Sequence, residues 1–309
     1  MPTDRRLFWI GIAAGFGAAC MWSSWNVVSR FGMQQTLTGP DIAALRFLVA
    51  GTIMLPFALR RFLRRDGRGS DWGVNWRKAL FLAAIGGGPF LVVAFVGLKT
   101  TPAAQAAILM NGCLPLLSTL AGWALLGDRP GPMRWAGVAL IVAGVGAIGW
   151  RGIAAGAAGG DLGFDRGHAF ILLATGMLCA YMLASRAWRV PALSAITFVP
   201  ILNLLLFVPV WALFMESRVA AAPWSEIAFQ ALFQGFGPGL VGLWMFTRSS
   251  TALGAAGASA CYAAVPAITT LLGIPILGEM PGTTEWLGIA VVSAGILLAT
   301  GVIKRAAPP

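Results

Sequence analysis

Two prolines mark where chemistry can happen in this chain. Pro115 and Pro266 lie inside long apolar runs. Proline lacks the N–H that would bond the carbonyl four residues earlier, so the carbonyls of Asn111 and Tyr262 are freed. A freed carbonyl in hydrocarbon must find a partner in protein or water. Two backbone acceptors and two polar side chains are therefore expected at matching depth, with Asn111 and Tyr262 lining a cavity for a small solute. The competing reading is a kink satisfied by neighbouring helices. The chemistry offered is recognition by hydrogen bonds and rings, not bond making. The sequence contains no P-loop, no HExxH and no Ser/His/Asp set. Cys20, Cys113, Cys179 and Cys261 form no CxxC pair and read as packing residues. No catalytic residue, metal or cofactor is expected.

Other polar groups fall at helical spacing. Trp22, Asn26, Ser29 and Arg30 occupy one face at i, i+4, i+7 and i+8, with Trp25 beside it. Tyr181 and Ser185 repeat part of that face later in the chain. Gln230 and Gln234 are one helical turn apart and run into Gly237-Pro238-Gly239. Gly86-Gly87-Gly88-Pro89 is the matching interruption upstream. Such paired Gly/Pro breaks point to a binding site or hinge; Gly88, Pro89 and Pro238 are read as hinges, Pro115 and Pro266 as kinks. Trp22, Trp25, Tyr181, Trp244 and Tyr262 would receive rings, and Asn26, Asn111 and Gln234 would receive ammonium or carboxylate groups. Arg46 is the one clearly intramembrane charge. It either binds a substrate carboxylate or snorkels and joins a capping network with Asp41. His168 opens a helix and reads as structural. No Asp or Glu lies deep in an apolar run, which argues against tight proton antiport and permanent organic cations.

The elements that must hold these residues are membrane helices. The 309 residues are 58% hydrophobic and 11% charged, where a soluble domain carries roughly a quarter charged. The net charge of +11 sits in short loops between apolar runs, without the basic, base-reading surface of a nucleic-acid binder. Ten segments are long and apolar enough to span, near 7–29, 42–59, 79–98, 102–126, 133–150, 168–186, 194–214, 226–246, 252–277 and 284–303. The first is read as an uncleaved helix rather than a signal peptide. Sixteen Lys/Arg fall on one side, including Arg64, Arg65, Arg68, Lys304 and Arg305, against five on the other. This bias places both termini in the cytoplasm.

The chain is also written twice. Gly86–Ala147 aligns without gaps on Gly237–Leu298, with about 19 of 62 positions identical. Pro115 answers Pro266, Trp135 answers Trp286, and Gly127-Asp128-Arg129-Pro130-Gly131 answers Gly278-Glu279-Met280-Pro281-Gly282. Arg30 likewise answers Arg186. Five spans per half, 1–150 and 151–309, make the second half inverted. That is an all-α membrane protein of two inverted repeats, the design that underlies alternating access around a midplane site. Gly137, Gly144, Gly288, Gly295 and Gly11-xxx-Gly15 are read as close helix contacts, including contacts between subunits of a homodimer if the protein is not a monomer.

These features resemble the drug/metabolite transporter superfamily, in particular its EamA-type ten-helix exporters. The resemblance rests on Trp22-Ser23, Arg30 and Arg46; on Ala103-Ala104, Pro115, Gly127-Asp128 and Gly144; and on Ala255-Ala256, Pro266, Gly278-Glu279 and Gly295. It covers essentially the whole chain. It implies a central cavity lined mainly by helices 1, 3, 4, 6, 8 and 9, and peripheral helices 5 and 10. It also implies export of amino acids or other small metabolites across the inner membrane. The aromatic face looks like that of aromatic amino acid exporters of the YddG type. Asp128 stands where the family often has Glu, and the essential first-helix Glu of the four-helix multidrug relatives is absent. A broad efflux carrier for toxic organic compounds is the alternative. A non-transporting membrane enzyme or scaffold is the alternative of another class. Small molecules and the bilayer are the expected partners, not nucleic acid.

Overall fold

The computed structural model describes residues 5–63, 74–157 and 166–299. Arg64, Arg65, Arg68, Lys304 and Arg305, counted above for orientation, lie outside them, as do residues 158–165 of the connection between the halves. The described residues form α1 (Arg5–Gln34), α2 (Gly39–Leu63), α3 (Trp76–Gly86), α4 (Gly88–Thr100), α5 (Ala103–Ala107) and α6 (Cys113–Leu126). They continue through α7 (Pro132–Ala157), α8 (Arg166–Ala187), α9 (Ala192–Phe214), α10 (Trp224–Phe236), α11 (Leu243–Tyr262), α12 (Val265–Leu277) and α13 (Thr283–Ala299). Among the described residues, seven helical stretches are long and apolar enough to cross a membrane, and Pro132–Gly146 and Thr283–Ala299 are shorter apolar helices.

Four of the expected spans are interrupted. The third breaks at Gly87, between α3 and α4. The fourth carries a π-helical turn, Ile108–Gly112, just before Pro115. The eighth carries a second π turn, Gly237–Gly242, that joins α10 to α11. The ninth breaks after Tyr262, and Pro266 opens α12 in its first turn. α11 also runs through the connection expected near 247–251. The chain turns instead at Gly254, whose φ of 76° takes it out of the helix and into a region only glycine adopts cheaply.

The repeated Gly-acid-x-Pro-Gly motif has a local explanation. Gly127 and Gly278 end α6 and α12 in the left-handed conformation, at φ of 70° and 68°. This is the usual glycine stop of a helix. The acid that follows is thereby thrown to the helix end in both halves.

The halves pack reciprocally. α2 lies on α9 and α7 on α13, while α1 packs along α11 and α12 as α8 packs along α4 and α6. Glycines make the approach possible. A methyl group added to Gly295 would sit 2.8 Å from the Gly137 carbonyl oxygen, and one on Gly137 would sit 2.6 Å from that of Gly295. Gly11 and Gly15 face Leu253 and Cys261 in the same way. Gly11, Gly15, Gly137, Gly144 and Gly295 thus make close helix contacts within the chain. Gly295→Leu is expected to force α7 and α13 apart at the cost of about 3 kcal/mol, the upper range for overpacking. Detergent-solubilised protein would show this as a lowered thermal midpoint, whereas Gly146→Leu, with open space around it, should leave the midpoint in place.

Candidate functional site

α1 places Trp22 beside the break in the ninth span. Its ring meets Tyr262 edge-on, centroids 5.3 Å apart, and Phe246 at 5.4 Å. The Tyr262 hydroxyl donates to Asn111 Oδ1 at 2.6 Å, and Asn111 Nδ2 donates to the Ala107 carbonyl at 3.0 Å. The two repeat-equivalent residues therefore bond to each other across the halves, one from a π turn, one from a broken helix. This sharpens the expectation: in this conformer Asn111 already uses both ends of its amide, so a ligand must compete with Tyr262. Ser23 donates to the Val265 carbonyl at 3.1 Å, so α1 also takes up a backbone acceptor at the ninth-span break.

Beside this group lies a buried amide cluster. Gln234 Nε2 donates to Ser29 Oγ at 2.9 Å and to Gln230 Oε1 at 3.3 Å, while Gln230 Nε2 donates to the Val28 carbonyl at 3.0 Å. Asn26 Nδ2 donates to the Trp22 carbonyl. Asn26 Oδ1, Gln234 Oε1 and Trp25 Nε1 are buried without a partner among the described residues. Such groups are costly to leave unpaired, and so mark places where a ligand atom or water is wanted.

Not every expected residue joins the group. Trp244 is 60% exposed and faces Arg248; Phe246, two residues on, takes the place expected for it. Tyr181 packs against Gly86, beside the third-span break, with Leu82, Ala195 and Phe198. Trp25 turns into the core against Phe95. Asp41, expected as a partner of Arg46, is fully engaged by the backbone of Thr38 and Arg218 and by Trp211 Nε1. His168 is buried and meets Gln105 Oε1 at 2.8 Å.

Three features escape sequence reasoning. Asn203 of α9 bridges the broken third span: Gly88 N–H donates to its Oδ1 at 2.7 Å, and its Nδ2 donates to the carbonyls of Ala83 and Val199. The other two are ion pairs. Arg30 meets Glu279 at 2.5 Å and also donates to the carbonyls of Leu98, Lys99 and Thr101 at the end of α4. Glu279 Oε2 in turn accepts from Ala103 N–H, the first of α5. Arg186 makes a two-pronged contact with Asp128 at 2.6 and 2.7 Å. By hydrogen bonding and by charge it holds the Asp128 carboxyl below the usual carboxylate range. Each pair joins the first helix of one half to the acid after the fourth helix of the other. The signal is present in the sequence, because both arginines and both acids are repeat equivalents.

The two ends nonetheless differ. The Arg30 and Glu279 side chains are 12% and 22% exposed, whereas that of Arg186 is 62% exposed. Near the Asp128 end an apolar groove of about 740 Å³ opens between α6 and α8, lined by Leu117, Leu120, Leu183 and Trp188 among others. None of the residues expected at the site lines it.

A chain of apolar helices with broken spans and polar groups buried at the breaks is that of a multi-pass membrane protein. The family model for EamA-like transporters matches residues 9–150 and 165–301, and the chain belongs to that family, within the drug/metabolite transporter superfamily. It is 25% identical over 300 residues to the uncharacterized transporter YwfM of Bacillus subtilis, covering 93% of each chain. It also shares its fold with a crystal structure at a TM-score of 0.62 and 21% identity, covering 96% of this chain and 99% of that one.

Proposed function

We propose that the protein exports amino acids, aromatic ones first, across the inner membrane by alternating access. Ten spans in two inverted halves, 1–150 and 151–309, with both termini cytoplasmic, form the carrier, which works as a monomer or homodimer without catalysis. The observation that carries this reading is the Trp22–Tyr262–Asn111 contact. Ring faces and amide groups from both halves meet where each half's helix is interrupted. A hinge or interrupted helix at such a place is what lets one half rock on the other.

The two crossed ion pairs support alternating access. They fasten repeat-equivalent elements, α1 to the end of α12 and α8 to the end of α6, so releasing one pair while keeping the other would open one end and hold the other shut. In this conformer both pairs are formed, and the Arg30–Glu279 end is the more buried one. With Arg129, Arg134, Arg186 and Arg189 cytoplasmic, the more exposed Asp128 end faces the cytoplasm, from which the carrier would load.

Counterflow in proteoliposomes with labelled phenylalanine, tyrosine and tryptophan beside hydrophobic cations tests the reading. Saturable exchange of an aromatic amino acid is expected, and no flux of any amino acid sinks it. The apolar groove between α6 and α8 favours the second reading, broad efflux of toxic organic compounds, and exchange of the cations alone would select it. Tyr262→Phe is expected to slow phenylalanine exchange about fivefold, the scale of one net hydrogen bond. If Tyr262→Phe and Asn111→Ala both exchange at wild-type rates at equal protein levels, the central contact is not part of the route.

A further inference from the structure

We infer that Arg46 is the carboxylate-binding group of the substrate site, and that the transported molecule therefore carries a carboxylate. The inference rests on the reading of this chain as a small-molecule carrier and narrows its substrate. Arg46 sits in the second turn of α2, within the span Gly39–Arg60. Among the described residues its guanidinium makes no hydrogen bond and no ion pair. The acids at its end of the molecule are committed elsewhere. Asp41 accepts from Thr38, Trp211 and Arg218, and Glu226 accepts from the N–H groups of Thr36 and Leu37. An intramembrane cation without a partner is costly and calls for an anion.

The surroundings suit a ligand better than a structural role. Arg46 faces the π turn Gly237–Gly242, and a methyl group built on Gly239 would lie 3.4 Å from its Nη2. Glycine therefore leaves the approach to the guanidinium open. The same π turn lies beside Trp22 at its other end, where a methyl group built on Gly242 would sit 3.7 Å from Trp22 Nε1. One turn before it stands Gln234, whose Oε1 is buried and unpartnered among the described residues. The turn thus joins a free cation, a free acceptor and an aromatic ring, the complement of a carboxylate, an ammonium and an apolar side chain. A guanidinium binds a carboxylate by paired, charge-assisted hydrogen bonds.

The test uses purified full-length protein in detergent and equilibrium binding of two probe pairs: phenylalanine with phenylalaninamide, and indole-3-acetate with indole-3-acetamide. Within each pair the ring is kept and the carboxylate becomes neutral. At least one acid is expected to bind about tenfold or more tightly than its amide, the scale of a charge-assisted hydrogen bond. Arg46→Gln should abolish that preference without weakening the amide, and Arg46→Lys should keep part of it. Gly239→Leu, which leaves the charge but fills the approach, should also lower acid binding. The ligand-free thermal midpoint of Arg46→Gln should equal or exceed wild type, because removing an unpaired charge costs nothing; a purely structural arginine would lower it. Equal affinity for acid and amide in both pairs, no saturable binding of any probe, or a preference that survives Arg46→Gln overturns the inference. Acid binding that depends on Arg46 without exchange of any amino acid would keep the subsite and sink the export reading instead.

Discussion

Glu279→Ala is expected to destabilise the protein by about 3–5 kcal/mol, the range for removing one partner of a buried ion pair. The magnitude follows from what Glu279 holds. Its Oε1 meets the Arg30 guanidinium and its Oε2 caps the first N–H of α5. The arginine also takes up three carbonyls at the end of α4. Removing the acid leaves a mostly buried cation with carbonyl oxygens but without its counter-charge, and uncaps a helix whose N-terminus favours a negative charge. Glu279→Gln should lose less, because an amide oxygen can still cap Ala103. Asp128→Asn is the natural comparison, since it is the repeat equivalent. Its partner is largely exposed, and exposed pairs contribute little, so its thermal midpoint should stay close to wild type. Equal losses for Glu279→Ala and Asp128→Asn would show that the two ends are held equally firmly.

The second large effect is expected at Asn203, where Asn203→Leu should cost about 2–4 kcal/mol. Leucine keeps the volume but removes every polar atom. Gly88 N–H then loses its side-chain acceptor, and the Ala83 carbonyl loses its donor, in the middle of a membrane helix. Each unmade bond of this kind costs about 1–3 kcal/mol, partly offset here because the asparagine no longer needs desolvation. Thermal unfolding in detergent, checked against Asn203→Asp, measures the loss. An unchanged midpoint would mean that water or backbone rearrangement satisfies the break at Gly87. Transport should suffer as well, since this residue fixes the interruption in the third span where Gly88 and Pro89 are read as a hinge.

Much of the site is legible in the order of residues. Pro115 and Pro266 announce interrupted helices, and the structure has a π turn before one and a break before the other. The repeat alone pairs Asn111 with Tyr262, and they form a hydrogen bond. Gln230 and Gln234, one helical turn apart in the sequence, bond to each other, and Gln234 Oε1 is left without a partner among the described residues. Trp244 is misplaced by the sequence reading because a helical wheel cannot decide which of two nearby aromatics faces inward when a π turn lies just upstream. One extra residue in a turn rotates everything that follows, and that rotation brings Phe246 to Trp22. Asn203 escapes notice because a single asparagine in an apolar run gives no sign of which distant break it serves.

What the sequence determines by itself is therefore periodic or duplicated: apolar length, Gly/Pro interruptions, the Lys/Arg bias and the internal repeat. These are local or translational properties, and each can be counted along the chain. Tertiary structure alone decides which polar groups meet. It joins Arg30 to Glu279 and Arg186 to Asp128 across the halves, and it buries one pair while leaving the other open. It commits Asp41 to Trp211 and Arg218, which leaves Arg46 without a partner among the described residues. Such pairings depend on the relative rotation and packing of helices far apart in the chain. That rotation is set by glycine contacts and π turns, whose effect emerges only when the whole bundle closes.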